Sequence, residues 1–386
     1  MSFADFQQEI YVNGLLTGAL PPHSVDPAVL EEVARRRLGE GPYWYVAGSA
    51  GTGATERANR EAFGRRRIVP RMLVDATERD LGVELFGERL PAPVLLAPVG
   101  VQSIVHPEGE LATARAAASL GVPSILSTMA SHTIEEVAAA AGEGPRWFQL
   151  YWPHDDEVTV SLLSRARKAG FTALVVTLDT WTLGWRPHDL DLAYLPFLRG
   201  EGLAIPFSDP AFLAGLEKSP QEDLGAAVLR WAPMFNGRAH TWDRLALLRD
   251  NWDGPIVLKG IQSADDARRA ADHGMDGVVV SNHGGRQVDG AIASLDALEP
   301  VAEAVGDRLT VLFDSGVRTG ADVLKALALG ARAVLLGRPY LWGLACGGAD
   351  GVRHVLRCLL AELDISMGLA GHRAVAGLAP DCLEVR

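Results

Sequence analysis

Cysteine is scarce and scattered: Cys346, Cys358 and Cys382 are the only three, and no two form a CxxC pair. That excludes a disulfide framework and a thiol redox motif, and points to reduced thiols in an intracellular protein. Long basic runs are missing too. None exceeds three residues; Arg65-Arg66-Arg67 reads as a solvated face, and 36 basic against 48 acidic side chains leave a formal charge of −12. A nucleic-acid partner is thereby excluded. The first ten residues hold neither a basic n-region nor an apolar core, so no secretory signal is expected. The apolar stretch 333–345 is broken by Arg338 and Pro339 and cannot span a bilayer. A dinucleotide fingerprint is also lacking, because Gly51-Thr52-Gly53 meets Glu56 where a third glycine belongs. The chain is expected to be cytoplasmic, with no membrane partner.

What is present is apolar and periodic. Hydrophobic residues make up 48% of the 386, ample for a core. Short runs rich in Val, Ile and Leu recur at 93–97, 123–126, 147–151, 173–178, 255–258, 277–280, 309–313 and 333–336. Ala-rich helical patterns separate most of them, as at 109–120, 133–141, 157–169, 264–273 and 320–329. Strands apolar throughout require cover on both faces, as in a parallel sheet. Eight such units predict an α/β fold, a (β/α)8 TIM barrel, as a single domain. Residues 1–90 are assigned to an N-terminal helical extension and the barrel bottom, 91–368 to the barrel and 369–386 to a C-terminal tail. The connection after the fourth strand, 187–240, shows little regular pattern and is expected to be a long lid loop.

Each apolar run ends, on its C-terminal side, in residues with chemistry to offer. In order the tips carry Pro98, Val99 and Gly100; Ser127; Gln149 and Tyr151; Thr177 and Asp179; Lys259; Ser281, His283 and Arg286; Asp314, Gly316 and Arg318; Gly337 and Arg338. In a barrel those tips converge on one mouth, where such enzymes keep their sites. The sixth tip, Ser281-Asn282-His283-Gly284-Gly285-Arg286-Gln287, combines a proton acceptor, a fixed cation and glycines that permit close approach. It suits an anionic substrate that must lose a proton. Glycines and arginines after strands seven and eight suit a phosphate, while Asp314 is better matched to a hydroxyl.

The segments 281–287, 178–186, 313–331 and 336–339 resemble the FMN-dependent L-2-hydroxy acid oxidases and dehydrogenases, the family of glycolate oxidase, lactate oxidase and the flavocytochrome lactate dehydrogenases. The likeness runs over roughly residues 43–367, and segments 9–15, 97–101 and 196–200 are most similar to the lactate 2-monooxygenase branch. This resemblance implies FMN at the barrel mouth. It places Pro98, Val99 and Gly100 behind the flavin ring, and Ser127, Gln149, Thr177 and Ser281 at its polar edge with Lys259. Asp314, Gly316, Arg318, Gly337 and Arg338 would hold the ribityl phosphate. His283 is implied as the base, Asp179 as the partner of its imidazolium, and Arg186 and Arg286 as a clamp on the substrate carboxylate. Tyr45 and Tyr151 would offer hydroxyls to the substrate. Two positions depart from the family pattern. Met129 stands where glycolate oxidase has tryptophan, and Gly100 stands where the simple oxidases tend to have alanine. The missing methyl would enlarge the pocket or alter how oxygen reacts.

The segment 187–240 carries seven acidic and four basic residues, which disfavours an anionic membrane surface. The residues before Tyr43 hold one histidine, His23, too few for a haem with paired axial ligands. The expected activity is oxidation of a short L-2-hydroxy acid, L-lactate foremost, with O2 as acceptor. It would end either in acetate, CO2 and water or in the 2-oxo acid and H2O2. A larger or aryl acid such as mandelate is the alternative substrate, and a flavin-free isomerase or lyase acting on a phosphorylated metabolite is the alternative class. The resemblance further implies a homo-oligomer, a tetramer or octamer.

Overall fold

The computed structural model describes residues 2–385. Eight parallel strands close into a barrel: β1 (Val94–Leu96), β2 (Ser124–Ser127), β3 (Arg146–Leu150), β4 (Leu174–Thr177), β5 (Ile256–Ile261), β6 (Gly277–Val280), β7 (Thr310–Phe313) and β8 (Ala333–Leu336). They pair in chain order, and β8 closes on β1 through Val334↔Val94 and Leu336↔Leu96. The eight-strand expectation is met strand by strand.

Alternation along each strand sorts the side chains into two cores. Leu95, Ile125, Trp147, Val175, Val257, Val279, Leu312 and Leu335 form one cluster, the barrel interior. Their neighbours Leu96, Leu126, Phe148, Val176, Leu258, Val280, Phe313 and Leu336 belong to a second cluster shared with the surrounding helices. Because successive strand residues face opposite sides, a fully apolar strand serves both layers at once. The interior is floored by a hairpin, Val83–Leu85 with Glu88–Leu90, whose turn brings Phe86 to 5.6 Å from the Trp147 ring.

Beyond the barrel the structure adds what periodicity did not reveal. The 187–240 connection is not an irregular loop. It contains the helices Pro187–Asp191, Ala204–Phe207, Pro210–Ala214 and Leu224–Phe235, with a 3-10 turn at Pro196–Arg199. Prolines at the first turn and Asp caps start all of these pieces but Ala204–Phe207: the Asp209 carboxylate accepts from the Ala211 N–H at 3.0 Å, and Asp223 from Ala226 at 2.9 Å. Most are shorter than the window in which a helical period registers. The C-terminal tail is likewise ordered, since Leu383–Val385 pairs antiparallel with Arg66–Ile68. The N-terminal extension is helical as expected, and its helix Glu40–Ala47 carries Tyr45 to the barrel mouth. No helix among the described residues is long and apolar enough to cross a membrane.

Trp147 is 2% exposed and fills the barrel floor. Trp147→Ala should cost about 3–5 kcal/mol, read from urea unfolding. A loss below about 1 kcal/mol would contradict the packing described.

Candidate active site

The interior-facing parity explains where the functional residues sit. Two positions beyond the apolar interior residue of β2 to β8 come Ser127, Gln149, Thr177, Lys259, Ser281, Asp314 and Gly337; in β1 the apolar layer runs one step further, through Ala97, before Val99. They are the next inward positions, at the end of the barrel where the strands finish. Hydrophobic side chains thus fill the barrel up to one level, and chemistry begins at the level above it.

A cavity opens on that level. It is walled by Pro98, Val99, Gly100, Lys259, Asp314, Gly316, Arg318, Gly337 and Arg338, and by Tyr45, Tyr151, Arg186, His283 and Arg286. Asp179, Ser127, Gln149, Thr177 and Ser281 lie behind this wall and support it. Gln149 Nε2 donates to Thr177 Oγ1 at 2.9 Å, while its Oε1 accepts from the Thr128 N–H at 3.1 Å. Ser281 Oγ accepts from Lys259 Nζ and from the His283 N–H, both at 3.0 Å. Lys259 Nζ also pairs with Asp314 Oδ2 at 3.1 Å. Burial opposes the lysine charge, but Asp314 and Asp179 outweigh it and raise the ammonium above its ordinary range. Lys259 is therefore a permanent buried cation.

His283 Nδ1 lies 2.9 Å from Asp179 Oδ1, and Thr180 Oγ1 is 3.1 Å from the same nitrogen. An Nδ1–H donated to the carboxylate leaves Nε2 as the ring's proton acceptor. Burial holds the imidazole below its ordinary value, with Lys259 and Arg186 acting in the same direction while Asp179 pulls it up. His283 is consequently neutral at neutral pH. Burial works against the Asp179 charge, but His283, Lys259 and Thr180 overcome it and hold the carboxyl below the usual range. The histidine backbone sits at φ 57°, a left-handed conformation that costs a non-glycine residue about 1–3 kcal/mol. Gly260 makes room for the pair. It occupies a bulge in β5 at φ 109°, and a Cβ there would lie 3.0 Å from the Asp179 side chain.

Two arginines face this base across the cavity. Arg186 is 7% exposed, contrary to an ordinary loop cation, and spends its Nε and one Nη on Arg286 O and Gln287 Oε1 at 3.1 and 2.8 Å. Arg286 donates to Gly48 O at 2.8 Å and lies 5.4 Å over the Tyr45 ring. Burial, Arg186 and Arg338 push its pKa down to about 9, so it is still charged at neutral pH. Together they form a concentration of positive charge with N–H donors to spare, suited to a carboxylate.

The far end is suited to a phosphate. Among the described residues the Arg318 guanidinium donates only to its own neighbour's carbonyl, Val317 O at 3.0 Å, and burial with Arg338 and Arg60 lowers it to about 10. Arg338 spends three nitrogens on main-chain carbonyls of Val46, Gly284 and Gly48 at 3.0, 3.0 and 2.8 Å. It braces the N-terminal extension against the His283 turn as well as facing the cavity. Gly337 precedes the helix Arg338–Leu369, and a Cβ there would meet nothing within 4 Å. Open space, helix-start N–H groups and two cations make an anion cradle.

Several contributors escaped sequence reasoning. Thr180 touches both members of the His–Asp pair. Gln287 donates to Asp179 O at 2.6 Å and Thr182 O at 2.9 Å while holding Arg186. Ser315, at φ 84°, accepts from the Gly284 N–H at 3.0 Å. All three adjoin recognised residues in the chain, and adjacency was the one available signal. Gly100 also has a plainer explanation than oxygen reactivity. A methyl there would stand 2.7 Å from Met129 O, so the glycine admits the turn after β2.

Comparison with known proteins agrees with this picture. The FMN-dependent dehydrogenase family matches residues 34–385. An FMN-dependent alpha-hydroxy acid dehydrogenase of Penicillium citrinum is 52% identical over 99% of this chain and 96% of its own. An L-lactate oxidase of Lysinibacillus sphaericus is 42% identical over 93% and 92%. Among solved structures, mandelate oxidase superposes with a TM-score of 0.81 at 41% identity, covering 94% of this chain and 98% of its own.

Asp179 raises the His283 pKa, so removing its charge should lower it. Asp179→Asn is expected to shift the His283 titration, followed by NMR of labelled histidine, to lower pH than in the unaltered protein. An upward shift would contradict the pairing.

Proposed function

The chain belongs to the FMN-dependent dehydrogenase family, and from that premise we propose that it oxidises a short L-2-hydroxy acid, L-lactate foremost, with O2 as the electron acceptor. FMN is its cofactor and 2-hydroxy acid oxidation its reaction class, so the flavin-free isomerase or lyase alternative falls. The residues present fit the group. Arg318, Gly316, Gly337, Arg338 and the helix start would hold the phosphate, with Asp314 at a ribityl hydroxyl. Pro98, Val99 and Gly100 would back the ring. Ser127, Gln149, Thr177 and Ser281 would serve its polar edge, where Lys259 supplies fixed positive charge. Bound there, FMN would supply the two-electron redox chemistry between the substrate and O2.

The observation that carries the proposal is the 2.9 Å His283–Asp179 pair opening into the same cavity as Arg186 and Arg286. The arginines hold the substrate carboxylate, and Tyr45 and Tyr151 offer hydroxyls beside it. Burial and nearby Tyr45 and Asp179 drive the Tyr151 hydroxyl far above its ordinary value, so it stays protonated and donates. His283 Nε2 accepts the proton that leaves the substrate. Asp179 then stabilises the imidazolium, which burial alone would disfavour.

Leu195, Phe197, Trp231 and Phe235, all from the 187–240 segment, line the cavity and favour retention of the 2-oxo acid. If pyruvate stays while O2 is reduced to H2O2, the peroxide converts it to acetate, CO2 and water. This is the lactate 2-monooxygenase outcome. Early release would give pyruvate and H2O2. The purified holoenzyme turning over L-lactate in air should yield acetate and CO2 in step with O2 uptake. Stoichiometric pyruvate and H2O2 would replace the monooxygenase reading with the oxidase one. No consumption of any 2-hydroxy acid would end the proposal.

Arg318 is the cradle cation with the fewest other bonds. Arg318→Met should weaken FMN binding by at least about thirtyfold, the equivalent of about 2 kcal/mol, measured as flavin released on dilution. Unchanged retention would remove Arg318 from the phosphate site.

A further inference from the structure

A second cavity adjoins the first. Trp152, His154, Trp181, His240, Trp242 and Leu258 are among its walls, on the outer side of β4 and β5. Aromatic side chains dominate its walls, and Arg238 also lines it. His240 stacks between Trp152 and His154 with ring centroids 4.0 Å away on each side. Burial and the neighbouring His154 hold His240 at about 4, so the imidazole is neutral at neutral pH. The buried indole N–H of Trp152 has no hydrogen-bond partner among the described residues.

Three residues line both cavities: Tyr151, Thr180 and Phe235. They are the shared wall. Tyr151 and Thr180 belong to the reaction site, whereas Phe235 is apolar and ends the helix Leu224–Phe235. Its position is fixed on both sides. Met234 O accepts from the His154 N–H at 2.9 Å, and the Gly237 N–H donates to Trp181 O at 2.9 Å. The Phe235 ring also packs on Trp231, with centroids 5.9 Å apart.

We propose that Phe235 is a specificity-determining partition, which holds the substrate side chain to a short one by closing the site off from the aromatic chamber behind it. Removing the ring joins the two cavities and admits 2-hydroxy acids with an aryl or long alkyl side chain. The inference rests on the proposed 2-hydroxy acid reaction, and its test separates the two.

Wild type, Phe235→Leu and Phe235→Ala are compared as holoenzymes with L-lactate and L-3-phenyllactate for kcat/KM. Binding of pyruvate and phenylpyruvate is measured in parallel by calorimetry. The kcat/KM ratio of phenyllactate to lactate should rise at least about tenfold in Phe235→Ala, with Phe235→Leu intermediate. The Kd ratio should move in the same sense. If Phe235→Ala does not fold, Phe235→Leu decides alone. Ratios that change less than about threefold in both assays, or a wild type already indifferent to side-chain size, overturn the partition. Should no 2-hydroxy acid be oxidised, the reaction proposal fails separately and the Kd ratio still decides the role of Phe235.

Discussion

The hydrogen bond between His283 Nδ1 and Asp179, 2.9 Å long and half-buried at the tips of β6 and β4, is the constraint around which the site is built. It fixes the tautomer, leaves Nε2 as acceptor, and places an anion where a positive charge would arise. A buried histidine without that partner would be a poor base, since desolvation penalises the imidazolium it must become. Thr180, Gln287, Ser281 and the bulge at Gly260 all hold this one geometry. The left-handed backbone at His283 is sustained by the Ser281 hydroxyl and by the turn that Arg338 ties to the N-terminal extension.

The barrel supplies the rest by a simple rule. Each strand alternates between an outer layer packed on helices and an inner layer filled by side chains such as Trp147 and Leu335. Where the inner layer ends, the next inward residue is polar or glycine in seven of the eight strands, β1 being the exception. A closed, rigid scaffold therefore delivers six polar side chains to one level, and in those strands only the final inward step changes character. Fold and site depend on the same alternation: shifting a strand by one residue would turn its apolar set and its functional tip together.

That rule is why so much was legible in the sequence. Val–Ile–Leu runs mark buried parallel strands, and the polar residue two places on marks the mouth, so Lys259, Ser281 and Asp314 could be located by counting. The helices within 187–240 escaped because several are a single turn, begun by proline and Asp caps rather than by a period. Thr180 and Ser315 escaped because a hydroxyl beside a recognised residue carries no pattern of its own. The role of Phe235 was unreadable for another reason: it depends on two cavities that meet only in three dimensions. Gly100 was read as an opening for chemistry, whereas its close approach to the Met129 carbonyl needs the folded backbone to be seen.

The direct test of the account is anaerobic rapid mixing of the FMN-loaded His283→Gln variant with L-lactate, following flavin bleaching. FMN content should be unchanged, while bleaching slows by at least about a hundredfold, the usual contribution of a positioned base. Bleaching within tenfold of the unaltered rate, with the same flavin content, would contradict His283 as the proton acceptor.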